Sequence, residues 1–386
     1  MIKRVFPLAL GAGLALGLGI AMGAQAAETV KIGFNAPLTG FGAADGKSAL
    51  TGAELAVDEA NAAGGVNGRK IELVVYDDGA KPDQAVPVAN KLIGQDGVKV
   101  AVSGSYSGAT RAAAQVFQEA HVPYISAYAI HPDITRAGDY VFRTSFVGEV
   151  QGRAGAKLIG DMLGKKRVVV ITLQNDFGKS LAAGFKEKAA DYGIQIVNEY
   201  QYSIKDRQFG AIVSKVAADK PDAIYASGYF FTAGPLVKQL KARGIDAVIV
   251  GQEGYDSDKF IEIAGDAAEG VIITTSLDRD STVPETRDFI SEFEKRAGFG
   301  ADMVAASANS AVRIAIAALK RAGSDDPKAI RDAIAATNAM QVATGIISFN
   351  KLGEVQKAVQ VQVVRGGKWH RHSVIDDPAL LAPPTM

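Results

Sequence analysis

Short runs of β-branched residues alternate with helical runs over most of this 386-residue chain, and that alternation limits what it can fold into. The first part predicts strands at residues 29–36, 71–76, 98–103 and 122–128, separated by helices at 48–63, 85–93 and 110–120. The pattern restarts at Arg167 and predicts strands at 168–173, 195–202, 223–227, 247–251 and 271–275. Alternation of this kind is typical of parallel sheets with helices on both faces. The sequence therefore predicts an α/β protein made of two similar units.

The last third of the chain departs from this alternation. Residues 284–322 and 327–336 predict helices, because apolar residues recur on one wide helical face. Residues 344–349 and 354–364 predict two further strands, joined by a turn at Lys351-Leu352-Gly353.

The charge balance argues against a nucleic-acid-binding protein. Lys and Arg together number 42, and Asp and Glu together also number 42. No bulk positive charge is present to attract a polyanion. We therefore expect no nucleic-acid partner.

Residues 1–26 are predicted to be a signal peptide. Lys3 and Arg4 precede an apolar run, and Ala24-Gln25-Ala26 supplies a small-x-small cleavage site. The alternative is a retained membrane anchor, but the run is rich in Gly and Ala and ends in a cleavage site. No later stretch is expected to be long and apolar enough to span a bilayer. The chain contains no Cys for disulfides or for lipid attachment. We expect a mature chain that is free in the periplasm and not inserted in the membrane.

A small-residue turn at residues 104–108 is a candidate anion site. It follows a buried β-branched strand and opens a predicted helix at Thr110. Backbone N–H groups at a helix N-terminus, together with the Ser107 hydroxyl, suit a small anion such as a carboxylate. The alternative is an ordinary turn that only caps the helix.

Motifs for catalysis and cofactor binding are incomplete. Gly46-Lys47-Ser48 lacks the glycine that a phosphate loop requires five residues earlier. The turn at 104–108 resembles a hydrolase nucleophile elbow, but its central residue is Tyr106. His370 and His372 would share a strand face and could contact a metal, but a solvated pair near the C-terminus is the favoured interpretation. We therefore expect no enzyme activity, no catalytic residue, no cofactor and no metal.

Several phrases of the sequence, in this order, resemble the periplasmic solute-binding proteins of the branched-chain amino-acid (leucine/isoleucine/valine) type, which serve ABC transporters. The phrases include Pro37-Leu38-Thr39-Gly40, Gly52-Ala53-Glu54-Leu55-Ala56, Asn61 through Gly68, Tyr76-Asp77-Asp78, Gln84-Ala85-Val86, Ser107 through Thr110, and Ala268-Glu269-Gly270. The resemblance covers residues 29 to 369.

The resemblance implies the periplasmic binding protein type I fold, with two doubly wound α/β lobes joined by three crossovers. The N-terminal lobe would comprise residues 27–147 and 277–358, and the C-terminal lobe residues 148–276 and 359–386. The crossovers would lie near residues 146–149, 275–277 and 357–360. Ligand would bind in the cleft between the lobes, and the lobes would close on it.

The resemblance also implies roles for individual residues. Ser107 matches the serine that binds a ligand carboxylate, which agrees with the anion turn. Tyr128 and Ile130 match a short loop that holds the α-carboxylate and α-amino groups, but Ile130 brings no hydroxyl. Phe177 and Tyr229 match aromatic positions of the C-terminal lobe that close over the ligand.

Three further positions bear on the choice of ligand. Glu253 matches the acidic residue that pairs with an α-ammonium. Asp45 stands where branched-chain binders carry an aromatic residue, and Gly148 where an acidic residue is usual. Tyr106 adds to the aromatic surface of the cleft, where each ring pair contributes roughly 0.5–1.5 kcal/mol beyond area burial.

The resulting hypothesis is a receptor that captures a small carboxylate and delivers it to an ABC transporter permease, acting as a monomer. The carboxylate would be an amino acid or an aromatic or 2-oxo acid. The alternative is a ligand-sensing module of the same fold for amides or other small molecules. An exported enzyme is a third possibility, but it lacks a visible nucleophile or metal set.

Overall fold

The computed structural model describes residue 1 and residues 29–384, so the predicted signal peptide lies outside the described residues apart from Met1. Residues 29–384 form fourteen strands. The strands are β1 (Val30–Ala36), β2 (Ile71–Asp77), β3 (Val100–Ser103), β4 (Tyr124–Ser126), β5 (Val141–Arg143), β6 (Arg167–Leu173), β7 (Gln195–Tyr202), β8 (Ala223–Ala226), β9 (Val248–Gln252), β10 (Ile272–Thr275), β11 (Met340–Val342), β12 (Gly345–Ile347), β13 (Val359–Arg365) and β14 (Lys368–Ile375).

The same described range forms eleven α-helices. They are α1 (Ala43–Ala62), α2 (Pro82–Gly94), α3 (Ser107–Glu119), α4 (Gly148–Lys157), α5 (Asp176–Ala189), α6 (Gly210–Asp219), α7 (Phe230–Ala242), α8 (Asp258–Ala264), α9 (Pro284–Ala297), α10 (Met303–Ala322) and α11 (Pro327–Ala335). Asp302 and Asp326 cap α10 and α11 by accepting hydrogen bonds from backbone N–H groups of the first turn.

Two separate sheets organise the chain into two lobes. The N-terminal lobe holds a parallel five-stranded sheet with the order β2-β1-β3-β4-β5. Its central strands are apolar and buried, as expected for a parallel sheet covered on both faces. The C-terminal lobe holds a seven-stranded sheet with the order β14-β13-β10-β9-β8-β6-β7, in which β13 and β14 run antiparallel to their neighbours.

The chain passes between the lobes three times. It leaves the first sheet after β5 and enters the second at β6. After β10 it returns to the N-terminal lobe, where α9 and α10 pack against α1. It then re-enters the second sheet at β13. The predicted fold class, two doubly wound α/β lobes joined by three crossovers, is confirmed.

Local boundaries differ from the sequence prediction at several places, and the strands predicted at 344–349 and 354–364 do not pair with each other beyond one isolated bridge, since β12 pairs with β11 and β13 with β10 and β14. Two of the differences affect the cleft. Helix α1 begins at Ala43, five residues before the predicted start at Ser48, because Gly46 allows the first turn to pack on the Pro37 carbonyl. The prediction of one helix over residues 284–322 is wrong, because two helices occupy this range. The first, α9, ends before Gly298, whose φ is +76°. A second helix begins after Asp302. The break places Met303 and Val304 at the cleft.

Helix α10 is the central helix of the N-terminal lobe. Contrary to the sequence analysis, it is long and apolar enough to cross a membrane, as no other helix among the described residues is, yet 83% of that apolar window is buried inside the protein. Its small residues pack closely on α1, and Asn309 Nδ2 donates to the Gly52 carbonyl at 3.0 Å. Its apolarity therefore serves the core of this lobe.

We expect Gly52→Ala to destabilise the protein by about 1–3 kcal/mol, as overpacking of a tight core does. A Cβ at residue 52 would lie 2.2 Å from the Ala305 carbonyl oxygen, so α1 and α10 would have to separate. Urea unfolding measures the change. Gly94→Ala is the matched control, because it lies in α2 with no atom within 4 Å of the added Cβ. Equal stability of the two variants would contradict the predicted close contact.

Candidate functional site

The cleft between the lobes holds a cavity of about 20 Å³ at the carboxyl ends of strands from both sheets. In an open α/β sheet this is the edge at which ligands bind. The lining residues are Asp45, Tyr106, Ser107, Tyr128, Ala129, Phe177, Tyr229, Glu253, Gly254, Asp256, Met303 and Val304. The volume has room for about one water molecule, so the lobes are closed on each other in this structure.

The N-terminus of α3 forms one wall of the cavity. Ser107 is its first residue, and the preceding Tyr106 is extended and supplies no side-chain cap to the first turn. The Ser107 hydroxyl accepts a hydrogen bond from the Ile130 N–H at 3.2 Å, which fixes its position and leaves its proton to donate. Uncapped N–H groups and an oriented hydroxyl at a helix N-terminus suit an anion.

Asp45 lies on the same side, in the first turn of α1. It is buried, and its Oδ2 accepts a hydrogen bond from the Tyr106 hydroxyl at 2.7 Å. Burial raises the pKa of the Asp45 carboxyl to about 7, although the bond from Tyr106 opposes the shift. The negative charge of Asp256 raises it further.

Aromatic rings from both lobes meet across the cleft. The rings of Tyr106 and Tyr229 stack with centroids 4.3 Å apart and an interplanar angle of 8°. Phe177 stacks on the other side of Tyr229 at 4.8 Å. Nearer the surface, Phe41 meets Phe231 edge-on at 5.5 Å. The Tyr106–Tyr229 and Phe41–Phe231 contacts join the lobes, and the stacked rings occupy space that a ligand would otherwise fill.

Glu253 forms the acidic wall on the C-terminal lobe, directly after β9. It is 3% exposed, and among the described residues neither carboxylate oxygen has a hydrogen-bond partner. Burial raises the pKa of the Glu253 carboxyl to about 8. A buried polar group without a partner costs roughly 1–3 kcal/mol. A ligand that donates to Glu253 would remove this penalty.

Asp256 differs from Glu253, because its charge is compensated. Its carboxylate accepts hydrogen bonds from the Thr275 hydroxyl at 2.5 Å and from the Arg279 guanidinium. Arg279 thus holds Asp256 as part of the wall.

Seven of the eight predicted ligand-binding residues line this one cavity: Asp45, Ser107, Tyr106, Tyr128, Phe177, Tyr229 and Glu253. Ile130 is fully buried and is not among the lining residues. Its backbone N–H holds Ser107, and its carbonyl accepts from the Gly148 N–H at 2.8 Å. At Gly148 a Cβ would lie 2.1 Å from Ser180 Oγ, so an acidic side chain has no room there.

Sequence reasoning missed Asp256, Met303 and Val304. Asp256 lies three residues after Glu253 in the same short turn, and that spacing was an available signal. Met303 and Val304 line the cavity because α10 begins there. The apolar periodicity of the sequence does not show this start.

Comparison with known proteins agrees with the fold and the cleft. The profile of the family described as periplasmic binding protein matches residues 29–368. The leucine-, isoleucine-, valine-, threonine-, and alanine-binding protein of Pseudomonas aeruginosa is 32% identical over 335 residues, which cover 86% of this chain and 88% of that protein.

Solved structures are similar over nearly their whole length. The branched-chain amino acid transporter substrate-binding protein LivJ of Streptococcus pneumoniae, in complex with isoleucine, is 31% identical with a TM-score of 0.85. The alignment covers 90% of this chain and 99% of that one. A solute-binding protein of an ABC transporter from R. palustris, in complex with benzoate, is 25% identical with a TM-score of 0.82, over 91% and 99% of the two chains.

The resemblance inferred from the sequence is confirmed, and the sensing-module alternative is not favoured by these relatives. The chain belongs to the periplasmic binding protein family and is a solute-binding receptor of the kind that serves ABC transporters.

Proposed function

We propose that this protein captures an α-amino acid in the cleft and delivers it to the permease of an ABC importer. One observation carries the choice among small carboxylates: an unpartnered buried carboxyl, Glu253, lines the same cavity as the anion site at Ser107. An α-amino acid carries a carboxylate and an ammonium on one carbon atom. The carboxylate would bind at Ser107 and the ammonium at Glu253. Aromatic and 2-oxo acids, which also fit the anion site, bring no cation for Glu253.

In the bound state, the α-carboxylate accepts hydrogen bonds from the Ser107 hydroxyl and the N–H groups that open α3. These charge-assisted bonds offset the desolvation of the carboxylate. Glu253 receives the α-ammonium from the C-terminal lobe. Because the two halves of the site belong to different lobes, ligand binding stabilises the closed arrangement.

Entry of ligand requires the lobes to part, since Tyr106 and Tyr229 fill the closed cleft. We propose that the moving bodies are residues 27–147 with 277–358 and residues 148–276 with 359–386, as the sequence predicted. Small-angle scattering with and without ligand tests this, because closure reduces the radius of gyration. An unchanged scattering profile would contradict lobe motion.

Isothermal titration calorimetry over a panel of amino acids, benzoates and 2-oxo acids tests the ligand class. We expect saturable binding of α-amino acids and no comparable binding of acids that lack an amino group. Tighter binding of benzoate or of a 2-oxo acid than of any α-amino acid would overturn the amino-acid assignment.

We expect Ser107→Ala to weaken amino-acid binding about 10- to 100-fold, which corresponds to one hydrogen bond to a charged group. Ser214→Ala, on an exposed face of α6, is the matched control and should leave affinity unchanged. Calorimetry measures both variants. Unchanged affinity in Ser107→Ala would remove Ser107 from the site.

The remaining features of the proposal follow from the sequence and the family. The mature chain acts in the periplasm as a monomer, after removal of residues 1–26, and performs no chemistry on its ligand. Cell fractionation and gel filtration test location and oligomeric state. Recovery of the bound ligand unaltered after prolonged incubation tests the absence of turnover.

A further inference from the structure

The cavity lining holds more carboxyl groups than one amino-acid ammonium can pair with. Its charged lining residues are Asp45, Glu253 and Asp256, and no Lys or Arg is among the lining residues that the structure describes. Arg279 compensates Asp256. Neither Asp45 nor Glu253, one from each lobe, forms an ion pair with a Lys or Arg in the part of the chain that the structure describes, although the charge of the buried Lys357 lowers the pKa of Glu253.

Neither of these two groups is in a position that solvent can compensate. Asp45 is 6% exposed and Glu253 is 3% exposed. The partner of Asp45 is the Tyr106 hydroxyl, which is a neutral donor and occupies only Oδ2. A buried carboxylate that lacks a cation or a full set of donors is unfavourable by several kcal/mol.

A zwitterionic amino acid with an aliphatic side chain would leave this imbalance in place. Its carboxylate is held at Ser107 and its ammonium at Glu253, so nothing in the ligand reaches Asp45 with a positive charge.

The rings beside Asp45 also suit a cation. Tyr106 donates to Asp45 and stacks on Tyr229, which in turn stacks on Phe177. When the lobes part, the faces of these rings become available next to the carboxyl group. Aromatic faces attract ammonium and guanidinium groups and also pack on the methylene groups of a long side chain.

We propose that the ligand is an α-amino acid whose side chain carries a second positive charge, with Glu253 binding the α-ammonium and Asp45 binding the side-chain cation. This inference rests on the proposed function and narrows its ligand class. Burial raises the pKa of Asp45 to about 7, so this carboxyl is partly protonated near neutral pH until a cation binds.

Calorimetry with L-lysine, L-ornithine and L-arginine against L-norleucine and L-leucine tests the proposal. Norleucine is the sharpest comparison, because it has the carbon chain of lysine without the side-chain amine. We expect at least one cationic amino acid to bind 100-fold or more tighter than norleucine. Tighter binding of leucine or norleucine than of every cationic amino acid would overturn this inference and leave the receptor function standing.

Asp45→Asn supplies the second arm. Asparagine keeps the size of the side chain and an oxygen that can accept from Tyr106, so the fold is retained. We expect the affinity for the cationic ligand to fall tenfold or more, while norleucine affinity stays within threefold. Asp83→Asn removes the same charge from an exposed position in the first turn of α2. It should change neither the affinity for the cationic ligand nor the affinity for norleucine. An equal loss for both ligands in Asp45→Asn would overturn the role of Asp45, and failure of every amino acid to bind would overturn the proposed function as well.

Discussion

Glu253→Gln should abolish most of the amino-acid affinity, with a loss of about 2–5 kcal/mol, or roughly 30- to 5,000-fold in Kd. The α-ammonium would then be buried against a neutral amide in a cavity from which water is excluded. Isothermal titration calorimetry measures the loss. The ligand-free variant should be as stable as the wild type or more stable, because a buried carboxyl without partners is replaced by an uncharged group.

A control separates this effect from a general change of charge. Glu262→Gln removes a carboxylate from the same lobe, but its side chain is 66% exposed and pairs with Lys259. The Glu262→Gln variant should bind the ligand with the same affinity as the wild type. A loss in Glu253→Gln below threefold would show that Glu253 does not face the ammonium.

The pH dependence of binding should report the ionisation of the Glu253 carboxyl. Because burial raises its pKa to about 8, the carboxyl holds a proton at pH 7 in the ligand-free closed cleft. A bound ammonium favours the ionised form and expels that proton. Affinity should therefore rise with pH between 6 and 8, by up to about tenfold per unit, and level off above pH 8.

The groups around Glu253 set the size of this effect. Lys357 and Arg143 lower the pKa of Glu253 and Asp256 raises it. The pKa of Lys357 is itself lowered to about 7 by burial, although the charge of Glu253 opposes that shift. Glu253→Gln should show a shallower profile than the wild type. A wild-type affinity that falls from pH 6 to pH 8 would contradict proton release.

Arg143→Met should destabilise the protein by about 3–5 kcal/mol, because it leaves the Glu354 carboxyl buried without its cation. Arg143 is fully buried at the end of β5, and Glu354 is 2% exposed. The guanidinium donates to both Glu354 oxygens at 3.0 Å. It also donates to the carbonyls of Ala129 and His131 at 2.9 Å, and so holds the loop that presents Tyr128 to the cleft.

The double variant Arg143→Met with Glu354→Gln tests the cause. Removing both charges leaves no orphaned carboxylate, so the double variant should recover a large part of the lost stability. Arg136→Met is the control, because its side chain is 60% exposed and its pair with Asp133 contributes about 1 kcal/mol or less. Denaturant unfolding measures all three. If the unfolding free energy of Arg143→Met alone lay within about 1 kcal/mol of the wild-type value, the structural importance of this buried pair would be contradicted.

The fold could be predicted because its signals are local. Strands such as β3 and β6 are β-branched runs that must be buried on both faces, and the helices between them show apolar periodicity. The break between α9 and α10 was missed, because the pattern of apolar residues continues across it. It is set by Gly298 in a left-handed conformation and by the capping Asp302.

The candidate site was predicted in part. Ser107 could be found from the turn that opens a helix, and Glu253 and Asp45 from their places in the family resemblance. That Tyr106 and Tyr229 would contact each other could not be predicted, since they are 123 positions apart and lie in different lobes. The lack of room for a side chain at Gly148 likewise depends on Ser180, which only the packing of α4 on α5 brings close.

The sequence by itself determined the alternation of strands and helices, and therefore two α/β units with a candidate anion site at the helix N-terminus of Ser107. It did so because hydrophobic periodicity and helix-end geometry are properties of neighbouring residues. Only the tertiary structure decided which charges meet in the cleft. Arg279 pairs with Asp256, while Asp45 and Glu253 form no ion pair among the described residues, and pairing between residues distant in the chain depends on how the two lobes pack.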